Sequence, residues 1–228
     1  MALSTLFEFE GAFLHSESLR ESILTYSEIF DRPVIPGLSD GPIYVLELAH
    51  GKKLILDDHR YDTHHFDPKP GFVLKSADLE KAMHTIKRCK LEITLPIVKG
   101  TGMNFFLFRD ADEHVFAVCD RALPYPAVTD FSDRGRFAIK DLNLPVRQVD
   151  AARAVYAEIF SLPADVHVKL VPRSLRPRWP LCRIQTSDLG RIRSWLRQHP
   201  KYRADDSTEG LGVEFWDKYG NGLLFEEG

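Results

Sequence analysis

The 228-residue chain is predicted to be an α+β protein built as a tandem of two related units, the second abbreviated. Three observations carry this. The stretch TYSEIFDRPV at 25–34 recurs as VYAEIFSLPA at 155–164, with Tyr26, Glu28, Ile29 and Phe30 matched by Tyr156, Glu158, Ile159 and Phe160. Each copy closes a helical pattern that follows an alternating, apolar-rich run. A stretch rich in proline and charge, DRALPYPAVTDFSDRG at 120–135, separates the two copies.

The elements follow in order. FEFEGAFLHS alternates and reads as a strand. In SESLRESILTYSEIF, Leu19, Ile23, Tyr26 and Phe30 recur at helical spacing, and Ser16 or Ser18 can cap the helix. DRPVIPGLSDGP breaks the pattern with three prolines and two glycines. PIYVLELAHGKKLILDD reads as a hairpin turning at His50, Gly51 and Lys52. A second round then begins: GFVLKSAD is a strand, and LEKAMHTIKRCK is a helix with Leu79, Met83, Ile86 and Cys89 on one side. LEITLPIV, a KGTG turn and NFFLFRDADEHVFAVCD supply three more strands. The first 120 residues thus read as strand, helix, three strands, twice over.

The second unit runs RFAIKDLNLPVR (strand), QVDAARAVYAEIF (helix), ADVHVKLVP (strand), PLCRIQTSD (strand), LGRIRSWLRQHP (helix) and LGVEFWDKYGNGLLFEE (hairpin). Only RSLRPRW lies between Pro172 and Pro180, so this unit has room for a strand or two fewer. The expected boundaries are 1–122 for the first domain, 123–136 for a linker and 137–228 for the second.

Bulk properties exclude several classes. A chain of this length buries a real core without staples. Its 44% hydrophobic and 28% charged residues are those of an ordinary globular protein. A formal charge of -3 gives no general attraction to nucleic acid or anionic membranes, and neither is expected as a partner. Cys89, Cys119 and Cys182 are odd in number and lack CxxC spacing, which points to free thiols in a reducing compartment. The start carries Glu8 and Glu10 and no basic segment, and no apolar run reaches the length of a membrane span, so a cytoplasmic location is expected.

With TYSEIF and VYAEIF closing the first helix of each unit, and with DKYGNGLLFEE at 217–227 and its degenerate version DADEHVFAVCD at 110–120, the chain resembles the vicinal oxygen chelate superfamily. This is the group of glyoxalases, bleomycin-resistance proteins and extradiol dioxygenases. The resemblance implies paired βαβββ modules curled into cup-shaped sheets. The two-domain architecture, with KKLILDD before a long polar loop and GFVLKSADLEKAM after it, is also similar to that of CppA-type proteins, which carry a proteinase attribution.

In metal-dependent relatives, His, Gln or Glu side chains enter the cup from the first and closing strands of each module, because a divalent ion needs three or four converging donors. The resemblance places the matching positions at Gly11, Leu56, Phe72 and Ala117, and at Asp141, Cys182 and Leu224. Glu10, Asp58 and Glu226 are the nearest carboxylates. No register within a residue or two yields three donors on one domain. No metal or other cofactor is therefore expected.

The reading this supports is a metal-free protein that binds a small organic molecule in the first cup. Phe13, Leu56 and Phe72 would line it, and His15 or Asp58 would supply polarity. The chain leaves room for a homodimer. One alternative is a metal-dependent lyase, isomerase or dioxygenase using DDHRYDTHHFD at 57–67, although that composition reads first as a solvated connection between two modules. Another is an interaction module presenting the arginines between Arg173 and Arg203, although a solvated helix face explains them as well. A proteinase comes last. GLSDG at 37–41 satisfies G-x-S-x-G but lies between a loop and a strand, where Ser39 is a turn residue. Cys119 and Cys182 read as buried apolar residues before they read as nucleophiles.

Overall fold

The computed structural model describes residues 6–58, 69–100, 102–122, 127–128, 136–159, 167–175, 178–206 and 212–228. They form two mixed sheets and four helices. In the first half, β1 (Glu8–Ser16) leads to α1 (Leu19–Ile29), then to the hairpin β2 (Ile43–Glu47) and β3 (Lys53–Asp58). β4 (Phe72–Lys75), α2 (Leu79–Arg88), β5 (Glu92–Lys99), β6 (Asn104–Arg109) and β7 (Val115–Cys119) follow, and β8 (Ala127–Val128) closes the sheet, whose order is β5-β6-β7-β4-β1-β3-β2-β8.

The second half contains β9 (Phe137–Val146), α3 (Val149–Ile159), β10 (His167–Pro172), β11 (Cys182–Thr186), α4 (Leu189–Gln198), β12 (Arg203–Asp206), β13 (Gly212–Trp216) and β14 (Gly222–Glu227). Its order is β10-β9-β11-β14-β13-β12.

Each module brings its last strand back parallel to its first: β1 with β3, β4 with β7, β9 with β10 and β11 with β14. Two modules, those opening with β4 and β11, are complete. Among the described residues the module opening with β9 has one strand after its helix, so the abbreviation falls there. The opening module differs from the expected three strands. Among the described residues β2 and β3 alone follow α1 before β4, and the short β8 pairs in parallel at the edge beyond β2. The proline-rich stretch after α1 supplies a 3-10 turn at Pro36–Leu38 instead of a strand, because proline removes ladder donors. Ser39 donates its hydroxyl to the Pro36 carbonyl at 2.7 Å, as a turn residue should.

Both opening strands carry a bulge at the same place, at Glu10 in β1 and at Lys140 in β9. On β1 the core-facing residues therefore switch from Phe7 and Phe9 to Ala12 and Leu14. On β9 they switch from Phe137 and Ile139 to Leu142 and Leu144. Beside the bulge, a Cβ on Gly11 would meet the Lys53 carbonyl oxygen at 2.5 Å, so β1 and β3 approach there as only glycine allows.

One apolar cluster joins both halves and takes in all four helices. The repeated phrase forms its centre. Tyr26 sets its ring edge-on to Phe215, with centroids 5.8 Å apart, and Phe30 packs against Phe137 and Phe225 at 4.9 and 5.7 Å. Tyr156 in turn lies 6.2 Å from Phe116 of the first sheet. Each copy of the phrase thus packs into the other half. Phe160, the last matched residue, lies outside the described residues.

Candidate functional site

The face of the first sheet turned away from the helices holds a second, smaller cluster. Val45, Ile55, Val73 and Cys119 are buried there, with the half-buried Phe13, Ile43, Met103 and Phe105 around them. Alternation along β1 puts Gly11, Phe13 and His15 on this inner face. Register then fixes their neighbours. Gly11 lies opposite Lys53 and Val73, Phe13 opposite Ile55, His15 opposite Asp57, and Val73 opposite Ala117.

Of the residues expected to line a ligand, Phe13 and His15 share this face. Leu56 and Phe72 point the other way, into the core beneath the helices, and both are essentially inaccessible. Their neighbours Ile55 and Val73 take the inner positions. Asp58 is also elsewhere: its carboxylate accepts the Leu19 N–H at 3.3 Å, at the start of α1, where a negative charge suits the helix dipole. Sequence alternation could not phase β3 and β4, because Leu54, Ile55 and Leu56, like Phe72, Val73 and Leu74, are all buried on both faces. The positions matched for metal donors shift likewise. Gly11, Ala117, Asp141 and Leu224 do face inward, whereas Phe72 and Cys182 give way to Val73 and Arg183.

His15 stacks on Phe13, with centroids 5.5 Å apart and rings nearly parallel. Its Nδ1 lies 2.9 Å from Asp57 Oδ2 and its Nε2 lies 2.8 Å from the Pro70 carbonyl. Both ring nitrogens are thus turned onto protein partners, one on β3 and one just before β4. Nearer the middle of the strand, Lys53 donates to the Glu10 carboxylate within a buried ion pair. Cys119 donates its thiol to the Leu74 carbonyl at 3.2 Å, and burial, with Glu10 and Asp120 nearby, pushes the thiol up to about 12. A thiol so placed is no nucleophile.

The inner face of the second sheet is charged instead. Arg183 on β11 is bonded to Asp141 on β9 and, at 2.9 Å, to Glu226 on β14. Burial opposes the charge of the guanidinium, but the bond to Glu226 and the Asp141 charge hold its pKa above the ordinary value. Cys182, on the opposite face, is fully buried and its thiol is pushed well up by burial alone.

Among the described residues no three His, Cys, Asp or Glu side chains are grouped to hold a metal ion. Of the 57–67 stretch only Asp57 and Asp58 are described, and both have the contacts given above. Three of the arginines expected to form a partner surface are bonded within the chain. Arg173 donates to the Asp112 carbonyl at 3.0 Å, Arg183 is clamped in the sheet, and Arg191 donates to the Glu28 carbonyl at 3.1 Å and to that of Ile29. Arg176 lies outside the described residues. No helix among the described residues is long and apolar enough to cross a membrane.

No family model and no curated protein matches the chain by sequence. Solved structures do match by shape. A catechol 2,3-dioxygenase superposes with a TM-score of 0.59 at 11% identity, over 96% of this chain and 87% of that one. The 2,2',3-trihydroxybiphenyl 1,2-dioxygenase of Sphingomonas wittichii gives 0.58 at 8% identity, over 98% and 91%. The Mn(II)-bound glyoxalase of Novosphingobium aromaticivorans gives 0.55 at 13% identity, over 98% and 82%. At these identities the likeness is one of fold alone: the chain shares the α+β fold of repeated modules found in these dioxygenases and this glyoxalase.

Proposed function

We propose that the protein binds a small organic molecule on the inner face of its first sheet, without a resident metal. The observation that carries this is the second apolar cluster. It lies outside the main core, and the side chains of Phe13, Met103 and Phe105 in it stay half-buried. Apolar walls with few fixed polar groups are what small-ligand sites offer. The polar groups here are the His15–Asp57 pair at one end of the face and the Lys53–Glu10 pair nearer its middle. The matching occupant is flat and largely apolar, able to lie along Phe13, with one polar end.

Titration with anilinonaphthalene sulfonate, a flat aromatic anion, tests the reading. The folded protein should raise the dye's fluorescence, and F13A and F105A should each weaken binding severalfold while keeping the circular dichroism of the parent. Unchanged dye affinity in both folded variants would overturn it.

A further inference from the structure

We propose that Arg183 is a built-in replacement for a divalent cation at the centre of the second cup. The tandem repeat supplies the frame. Tyr26 and Tyr156 lie at the same distance from Gly11 and Asp141, and both of those residues follow a bulge on the opening strand. Register extends the match. Gly11 faces Val73 across the sheet as Asp141 faces Arg183, and Val73 faces Ala117 as Arg183 faces Leu224. The first cup therefore presents glycine, valine and alanine at positions where the second presents aspartate, arginine and leucine. Glu226 lies two residues beyond Leu224 on the same face.

Asp141 and Glu226 are largely buried carboxylates, with side chains only 10% and 14% exposed, on strands that flank β11 on either side. Left together they would repel and lose hydration, so they need a cation between them. Where a metal-binding member would place an ion, this chain reaches in with a guanidinium from the intervening strand. One oxygen, Glu226 Oε1, still has no hydrogen-bond partner among the described residues, so the arginine serves the pair incompletely. Arg183 carries fixed charge, ties β9, β11 and β14 together, and offers no open coordination position. Of the three matched positions only Asp141 is a donor; Glu226, two residues past Leu224, supplies a second carboxylate, and Arg183 closes the space between them. This inference does not depend on a ligand in the first cup.

The test removes the guanidinium and supplies a nitrogen donor. Untagged protein is loaded with excess manganese(II), desalted, and its metal measured. The parent should retain almost none, and R183H, with a donor between Asp141 and Glu226, should retain about one equivalent per chain. D141N or E226Q added to R183H should remove it. An R183H chain that folds only when manganese(II) is present would equally match expectation. The proposal is overturned if the parent retains about one equivalent that D141N or E226Q abolishes. It is also overturned if R183H either folds and takes up no metal or stays unfolded with metal present.

Discussion

Removing one hydroxyl should measure how firmly the two halves are locked. Tyr26 donates its hydroxyl to Asp217 Oδ2 at 2.9 Å, from the first half to the turn before β14. Tyr156 donates to Asp110 Oδ2, from the second half to the turn before β7. All four residues are buried. Y26F keeps the ring against Phe215 and deletes only a hydrogen bond to a charged acceptor, which is worth about 1.5–3 kcal/mol. Asp217 retains the backbone N–H groups of Tyr219 and Asn221, each at 2.9 Å, and the Asn221 side chain at 2.7 Å. The carboxylate is therefore not orphaned, and the loss should fall at the low end, about 1.5 kcal/mol for each lock. The two sites share no partner, so Y26F/Y156F should lose about 3 kcal/mol, a large part of a typical domain's stability. The assay is urea unfolding with two probes. Trp179, Trp195 and Trp216 all lie in the second half, so their fluorescence is weighted to that half and, through Trp195, to its contact with Glu28, whereas far-ultraviolet circular dichroism reports both halves. The parent should give coincident transitions. Losses below about 0.5 kcal/mol in both single variants, or separate transitions in the parent, would refute the reciprocal lock.

Three further outcomes are expected. Burial alone would raise the Asp110 pKa, but His114 and Tyr156 bond the carboxylate and hold it below 3.8, whereas burial dominates at Asp217 and raises it. Asp110 thus contributes stability above 3.8 that is lost as pH falls through its folded value, while the Asp217 contribution is lost as pH rises through its own; D110N should cost more than D217N at neutral pH, and its deficit should shrink as pH falls below 3.8 in urea titrations. A disulfide reagent at about pH 8 should modify only the half-buried Cys89 in folded protein and all three thiols in urea, so native reaction at Cys119 would contradict the buried thiol described. G11A should destabilise by about 1–3 kcal/mol through the close Lys53 carbonyl, whereas G37A, with open space around it, should be neutral by thermal melting.

The elements and their tandem order were legible because turn residues and periodicity punctuate this chain well. The shortened module was visible as the few residues between Pro172 and Pro180. Strand phase was not. β3 runs through Lys53, Leu54, Ile55 and Leu56 with every side chain buried, and period-two reasoning has nothing to alternate there. The bulges at Glu10 and Lys140 shift phase by one residue without a glycine or proline to announce them at the bulged position. The partners of Tyr26, Tyr156 and Arg183 were also hidden. They lie up to 191 positions away, and pairing at that range leaves no trace in local pattern. The one usable signal was that both tyrosines and both Asp-containing turns recur, which two mutually locked halves require.

The same frame shows where the two copies have diverged. Glu28 of α1 accepts from Trp195 on α4 at 3.1 Å, and the matching Glu158 of α3 accepts from Arg88 on α2 at 2.8 Å, so each repeated helix is held by the other half's second helix. Beside them the copies part. Glu92 pairs with Arg109 as Arg203 pairs with Trp216, which makes Leu91 the counterpart of Tyr202, and Val155 is the counterpart of Thr25. The Tyr202 hydroxyl meets Thr25 Oγ1 at 2.5 Å and its ring stacks on Trp195, filling its side of the junction. Leu91 is shorter than Tyr202, Val155 has the shape of Thr25 without its hydroxyl, and with Ala151 and Ala152 they border a half-open cleft of about 320 Å³ beside Tyr156 and Asp110. Pairing the locks preserves the tandem, while the volumes around them are free to drift. The two inner faces differ for the same reason, one largely apolar and one charged: the cross-half ring contacts run from the helices to the core-facing side of the strands, and the terminal turn reaches β1 through the His15 backbone carbonyl, which leaves the inner-face side chains free to vary.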